Sequence, residues 1–229
     1  MTLGLASLVA AACVAATGVG ADDARMPLAV SARGPVPQVL RDTESSAEDL
    51  VDYALARDRR NVVAAAAELE SAASGPAAAA LTRAGVPAAT VARLRARAGH
   101  VAVLARRAPY IAVALAANDV SALMAELYAH FRDRVPASVL ELDYLDREAQ
   151  LRSLAGTPTQ VAAAVKRLAP VWARLRQKVV AAGGAQEAAA FTAHVAAMKR
   201  LDPAAARAVQ AEAAHGLELV DRLEQVFLR

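Results

Sequence analysis

The sequence predicts an all-α protein, an antiparallel up-and-down helical bundle of seven or eight helices arranged as two related halves. Three observations carry this expectation. First, the chain is 56% hydrophobic but only 3% aromatic, and most of the apolar content is Ala, with Leu and Val behind it. Ala, Leu, Arg, Glu and Gln favour helices, whereas the aromatic residues that favour strands are scarce. Second, no segment alternates apolar and polar residues with period two for long enough to form a half-buried strand. Third, His100 to Pro109, HVAVLARRAP, is echoed from His194 to Pro203 as HVAAMKRLDP, with His, Val, Ala, Arg and Pro matching.

Looser landmarks point the same way. Val62 to Leu69, VVAAAAEL, resembles Val161 to Leu168, VAAAVKRL. Asp52-Tyr53 and Asp143-Tyr144 stand near helix starts, and Phe131 and Phe227 stand at helix ends. The spacings between these pairs differ, so a duplication requires small gaps. The halves are expected at 46–133 and 138–229, sharing one core.

Residues 1–21 read as a signal peptide. Leu3 to Ala16 is a short apolar run, and Val19 and Ala21 fit the small-residue positions before a signal-peptidase cut. The run is too short to span a bilayer comfortably, and no Lys or Arg precedes it. Cleavage after Ala21 removes Cys13, the only cysteine, and leaves a mature chain without disulfide or thiol chemistry. Lipidation at Cys13 is the poorer reading, because VAAA is a weak match to a lipoprotein signal. The expected location is therefore periplasmic or secreted, with no transmembrane span in the mature chain.

The formal net charge is +3. Arginines cluster at 57, 59 and 60, at 93, 95 and 97, and at 106 and 107, in patterns that suit solvated helix faces. With few aromatics to stack on bases, nucleic acid is not an expected partner. A weak attraction to anionic envelope surfaces is.

Residues 22–44 contain three prolines and show no helical period, so an extended leader is expected there. Ser45-Ser46-Ala47-Glu48 has capping-box spacing and predicts a helix to about Ala56. That helix either breaks near Asp58 or Asn61 or continues to about Ala73, where Ser74-Gly75-Pro76 stops it. A short Ala-rich helix reaches Arg83. Gly85-Val86-Pro87 then turns the chain, with Pro87 opening a helix to about Arg107 and Pro109 opening another to about Arg132. Ile111, Leu115, Leu123, Leu127 and Phe131 give that last helix its apolar stripe.

Val135-Pro136 ends the first half. A second capping box, Ser138 to Glu141, predicts a helix ending at Gly156. Thr157 and Pro158 open a helix to about Ala182, with a kink at Pro170. Gly183-Gly184 turns into a helix from about Gln186 to Arg200, after which Asp202 and Pro203 open the final helix.

Three constellations are candidates for chemistry. His194 lies in an apolar stripe with Phe191, Val195, Met198 and Leu201. It is either a core histidine hydrogen-bonded to a neighbouring helix or, paired with His100 and with Met198 one turn away, a soft-metal or haem ligand. Glu212-Ala213-Ala214-His215 has the Glu-x-x-His spacing of di-iron bundles, but Glu126 and His130, spaced by four, do not supply a matching second copy. An end cluster of Asp52, Tyr53, Glu126, Tyr128, His130, Asp143, Tyr144, Arg147 and Arg222 would bind a hard cation or polar ligand, do acid–base work, or simply close the bundle end. Its candidate ligand-binding members are Asp52, Tyr53, Glu126, His130, Asp143, Tyr144 and Arg147.

No GxSxG, HExxH, GxGxxG or P-loop pattern is present, and Trp172 reads as a core anchor. The expected function is thus a non-enzymatic, exported binding or scaffold protein. The alternative is a metal- or haem-binding accessory protein using His100, His194 and Met198 or the end-cluster carboxylates. No cofactor is identified by the sequence.

Overall fold

The computed structural model describes residues 34–229; the expected signal peptide and the leader up to residue 33 lie outside the described residues. The described residues form nine helices and no strand. The first half holds α1 (Gln38–Leu55), α2 (Arg59–Ser74), α3 (Pro76–Arg83), α4 (Ala88–Arg107) and α5 (Tyr110–Tyr128). The second holds α6 (Ala137–Leu154), α7 (Pro158–Ala181), α8 (Ala185–Arg200) and α9 (Ala206–Leu228). Only Gly75 separates α2 from α3, so the pair reads equally as one broken helix.

Each half is a ring of four. In the first, α1 packs on α2, α2 on α4, α4 on α5, and α5 back on α1; in the second, α6, α7, α8 and α9 close in the same order. Contacts between opposite ends show that neighbours run antiparallel. Arg59 at the start of α2 reaches the carbonyl of Ala105 at the end of α4, 2.7 Å away. Tyr128 at the end of α5 reaches Glu44 near the start of α1. Arg229, just beyond α9, pairs with Glu187 at the start of α8. α1 and α6 begin at 38 and 137, and α2 and α7 at 59 and 158, so ring order and spacing recur together.

Proline, rather than Ser–Glu pairs, starts the helices. Pro37, Pro87, Pro109 and Pro136 are the residues immediately before α1, α4, α5 and α6. The ring fixes φ near −60°, and the observed ψ values of 134–142° are extended. An N-cap needs non-helical backbone with a carbonyl that already accepts the first intrahelical bond. Each proline carbonyl does so, receiving the N–H of Leu40, Thr90, Ala112 or Val139 at 2.8–3.0 Å.

This corrects two expected boundaries. The leader does not extend to residue 44, because α1 begins at Gln38, and Leu40, Thr43, Ala47, Leu50, Val51 and Ala54 form its buried stripe. Ser45 to Glu48 therefore lies inside a helix, where Ser46 donates back to the carbonyl of Asp42 instead of capping. In the second half, α6 begins before Ser138, so the other box is not a cap either. Of the two alternatives for the chain after Ala56, a break near Asp58 or a continuous helix, the break is present: the Asp58 carboxylate accepts the N–H of Asn61 at 3.1 Å. α5 stops at Tyr128, short of Arg132, and Pro203 lies in a turn before α9 rather than at its start.

The buried apolar side chains group into two clusters, one centred on each half. They interlock where α5 packs on α6: Leu140 and Leu151 of α6 belong to the first cluster, and Ala122 of α5 packs against the second. α5 is long and apolar enough to cross a bilayer, but most of its surface is buried against α1, α4 and α6, as in a core helix. The first cluster is dense in alanine, which permits close helix approach. The second is built around Trp172, Phe191 and Met198.

Candidate functional site

Two polar sites stand out, a cleft at the seam between the halves and a buried triad inside the second. The cleft, of about 320 Å³, lies between the start of α1, the α5–α6 connection and the end of α9. Arg41, Glu44, Tyr128, Asp133, Arg134 and Glu224 supply its polar lining, and Val135, Leu140 and Leu228 its apolar wall.

Both arginines are engaged. Arg41 pairs with Asp133 at 2.7 Å, and Arg134 donates to the carbonyl oxygens of Leu228 and Arg229. The carboxylates are less well compensated. Burial raises Glu44 to about 7, against the lowering effect of the hydrogen bond it accepts from the Tyr128 hydroxyl at 2.7 Å. Burial also raises Glu224 to about 7, helped by the charges of Asp221 and Glu48.

Behind them, burial pushes Asp143 well up although Arg147 opposes it. Arg147 bridges Asp143 and Glu48 at 3.2 Å each. The cleft therefore holds two glutamates, Glu44 and Glu224, near neutrality. Such groups exchange protons readily around neutral pH.

The triad joins three helices. His194 of α8 has Nε2 3.0 Å from Asp146 Oδ1 on α6, and Nδ1 2.9 Å from Glu212 Oε1 on α9. A neutral imidazole carries one N–H, so contacts to two carboxylates require a further proton, either as imidazolium or on a carboxyl. Burial alone would lower the His194 pKa, but the two acids outweigh it and hold it above the ordinary value. Burial raises Asp146, against the pull of His194. The second oxygen of Asp146 is buried with no hydrogen-bond partner.

Gly216 on α9 permits this approach. A Cβ there would lie 2.5 Å from Asp146 Oδ2 and 2.6 Å from His194 Nε2. Phe191 meets the imidazole edge-on with centroids 5.2 Å apart, and the half-exposed His215 ring lies 6.3 Å away.

The predicted site residues are only partly brought together. Asp143, Arg147 and Tyr128 do gather at the seam, and the charge of exposed Asp52 acts on Arg147. Glu126 does not join them; it pairs with Arg93 on the outer surface. Tyr53 packs against the first core cluster. Tyr144 follows Asp143 directly, and adjacent helical residues point about 100° apart. Its ring instead lies beneath Arg167 of α7, 5.3 Å from the guanidinium carbon. His130 is half-buried in the turn after α5, and Arg222 is exposed.

The proposed ligand pair of His100 and His194 is corrected by the packing. His100 is exposed on α4, which makes no contact with α8. Both His194 nitrogens are occupied by carboxylates, and Met198 is buried in the second core cluster. Among the described residues, no group of three or more His, Cys, Asp or Glu side chains is disposed to hold a metal ion.

Sequence reasoning missed Glu44, Glu48, Glu224 and Asp146. The first belonged to the supposed leader; a helix starting at Pro37 would have placed Glu44 and Glu48 one turn apart on one face. Asp146 carried no such signal, since its partner is 48 positions away. No protein-family model, curated protein or solved structure matches this chain.

Proposed function

We propose that this chain is an exported, non-enzymatic helical-bundle binding protein whose ligand is an aliphatic amine held in the seam cleft. One observation carries the reading: Glu44 and Glu224 face the same cleft and neither forms an ion pair with the arginines lining it, since Arg41 is held by Asp133 and Arg134 by the carbonyl oxygens of Leu228 and Arg229. An ammonium group would supply the missing positive charge and release the protons these acids hold near pH 7. Val135, Leu140 and Leu228 provide an apolar wall for the ligand's methylenes. Pockets of this size commonly combine an apolar lining with a few placed polar groups. Export rests on the apolar run and small residues of the first twenty-one positions, and is tested by the N-terminus of protein recovered from the producing cell.

Titration calorimetry with 1,4-diaminobutane tests the ligand. Binding should strengthen between pH 6 and pH 8, as the two acids ionise, and release protons. The double variant Glu44→Gln/Glu224→Gln should lose it. Absence of binding at pH 8, or undiminished binding by the double variant, would refute the reading.

A further inference from the structure

On the opposite side of the second half, α7 and α8 leave a shallow groove between them. Toward the start of α7 it opens to about 310 Å³ over Val161, Val165, Met198 and Leu201. Further along α7 it continues as about 300 Å³ over Ala169, Trp172 and Val195, and Lys199 lines both stretches. Trp172 forms part of the groove floor: it is 5% exposed, its Nε1 donates to Thr192 Oγ1 at 3.0 Å, and its inner side packs on Phe191 with ring centroids 4.8 Å apart. No carboxylate lines either stretch.

The charges along the groove are one-sided. Lys166, Arg176 and Lys199 are all exposed, and among the described residues none has a carboxylate within ion-pair distance. Arg174, two residues before Arg176, is by contrast paired with Glu141. An apolar trough edged by uncompensated cations is complementary to a molecule with an apolar body and an anionic head. From Val161 to Arg176 the groove follows about 22 Å of helix at 1.5 Å per residue. One acyl chain spans about half of a bilayer's ~30 Å hydrocarbon core, so a chain and its head fit within that length.

We infer that the α7–α8 groove binds a single-chain fatty acid, its chain along Val165, Trp172 and Met198 and its carboxylate at Lys166 or Lys199. This site is separate from the seam cleft and does not depend on the amine-binding reading. Trp172 is the only tryptophan, so its fluorescence reports the groove alone.

A stearate carrying a nitroxide on its chain, added to the full chain below its micelle concentration, should quench that fluorescence saturably at one molecule per chain. Palmitate should reverse the quenching, and hexadecyltrimethylammonium, of equal chain length but opposite charge, should not. Lys166→Glu/Lys199→Glu, checked for retained helicity, should weaken binding roughly tenfold as attraction becomes repulsion. Glu44→Gln/Glu224→Gln should leave it unchanged. Quenching that does not saturate, equal competition by the cationic amphiphile, or parental affinity in the lysine variant would overturn the inference. Stronger association with phosphatidylglycerol vesicles than with palmitate would also overturn it, by making the surface a membrane patch.

Discussion

Gly216 is the residue at which two general rules make opposite predictions. Replacing glycine by alanine within a helix ordinarily stabilises it by about 1 kcal/mol. Here the new methyl would meet Asp146 Oδ2 and His194 Nε2 at 2.5–2.6 Å, and both side chains are fully buried and bonded to each other, so their contact must be disturbed to admit it. Gly216→Ala should therefore destabilise the chain by roughly 1–3 kcal/mol, the usual cost of overpacking, measured by urea unfolding; a gain in stability would show that the three helices can separate without penalty. His194 itself should titrate by NMR above 6.5, its ordinary value, because its two acids outweigh its burial. With the folded value raised, its contribution is complete below pH 6.5 and is lost as pH rises through the folded value. His194 was legible as a core residue from its apolar stripe at helical spacing. Its partners were not, because three distant segments meet only through the packing of α6, α8 and α9.

At the scale of the helix, the correct type of element was legible almost throughout, and the errors lie at the starts. Ser–x–x–Glu is a valid signal for an N-terminus, but such a pattern also arises inside a helix, as Ser45 to Glu48 shows. The proline that precedes each such pattern was the better marker, since its fixed φ and open carbonyl fulfil the cap's backbone role without a side chain. This separates the serines from a true side-chain cap. Ser45→Ala and Ser138→Ala should each change stability by less than about 0.5 kcal/mol, as at ordinary surface positions. Asp58→Ala should cost about 1 kcal/mol, because its carboxylate accepts the Asn61 N–H at the start of α2. Equal losses in all three would restore the capping boxes.

Across the whole molecule, composition and helical period were enough to predict an all-helical bundle, whereas the expected division into two halves rested on the echo of residues 100–109 in 194–203. The location of the polar seam was not legible, since it depends on which faces of α1, α6 and α9 converge. That seam gives the molecule a pH dependence of definite sign. Glu44 and Glu224 each rise from 4.5 to about 7 on folding, so the folded chain binds more protons than the unfolded chain between those values. Their contribution to stability is complete below pH 4.5 and disappears as pH rises through 7. Glutamine mimics the protonated acid, and its amide oxygen can still accept from the Tyr128 hydroxyl at position 44. Glu44→Gln/Glu224→Gln should therefore resemble the parent at pH 4.5 and exceed it at pH 8 by about 1–2 kcal/mol after allowance for solvent screening. In a chain of this size that is a rise in Tm of roughly 2–4 °C per kcal/mol. Calorimetric scans of both proteins at the two pH values provide the comparison. A double variant less stable than the parent at pH 8 would mean that both carboxylates are ionised and favourably paired, and the seam would then have no unmet charge to offer a ligand.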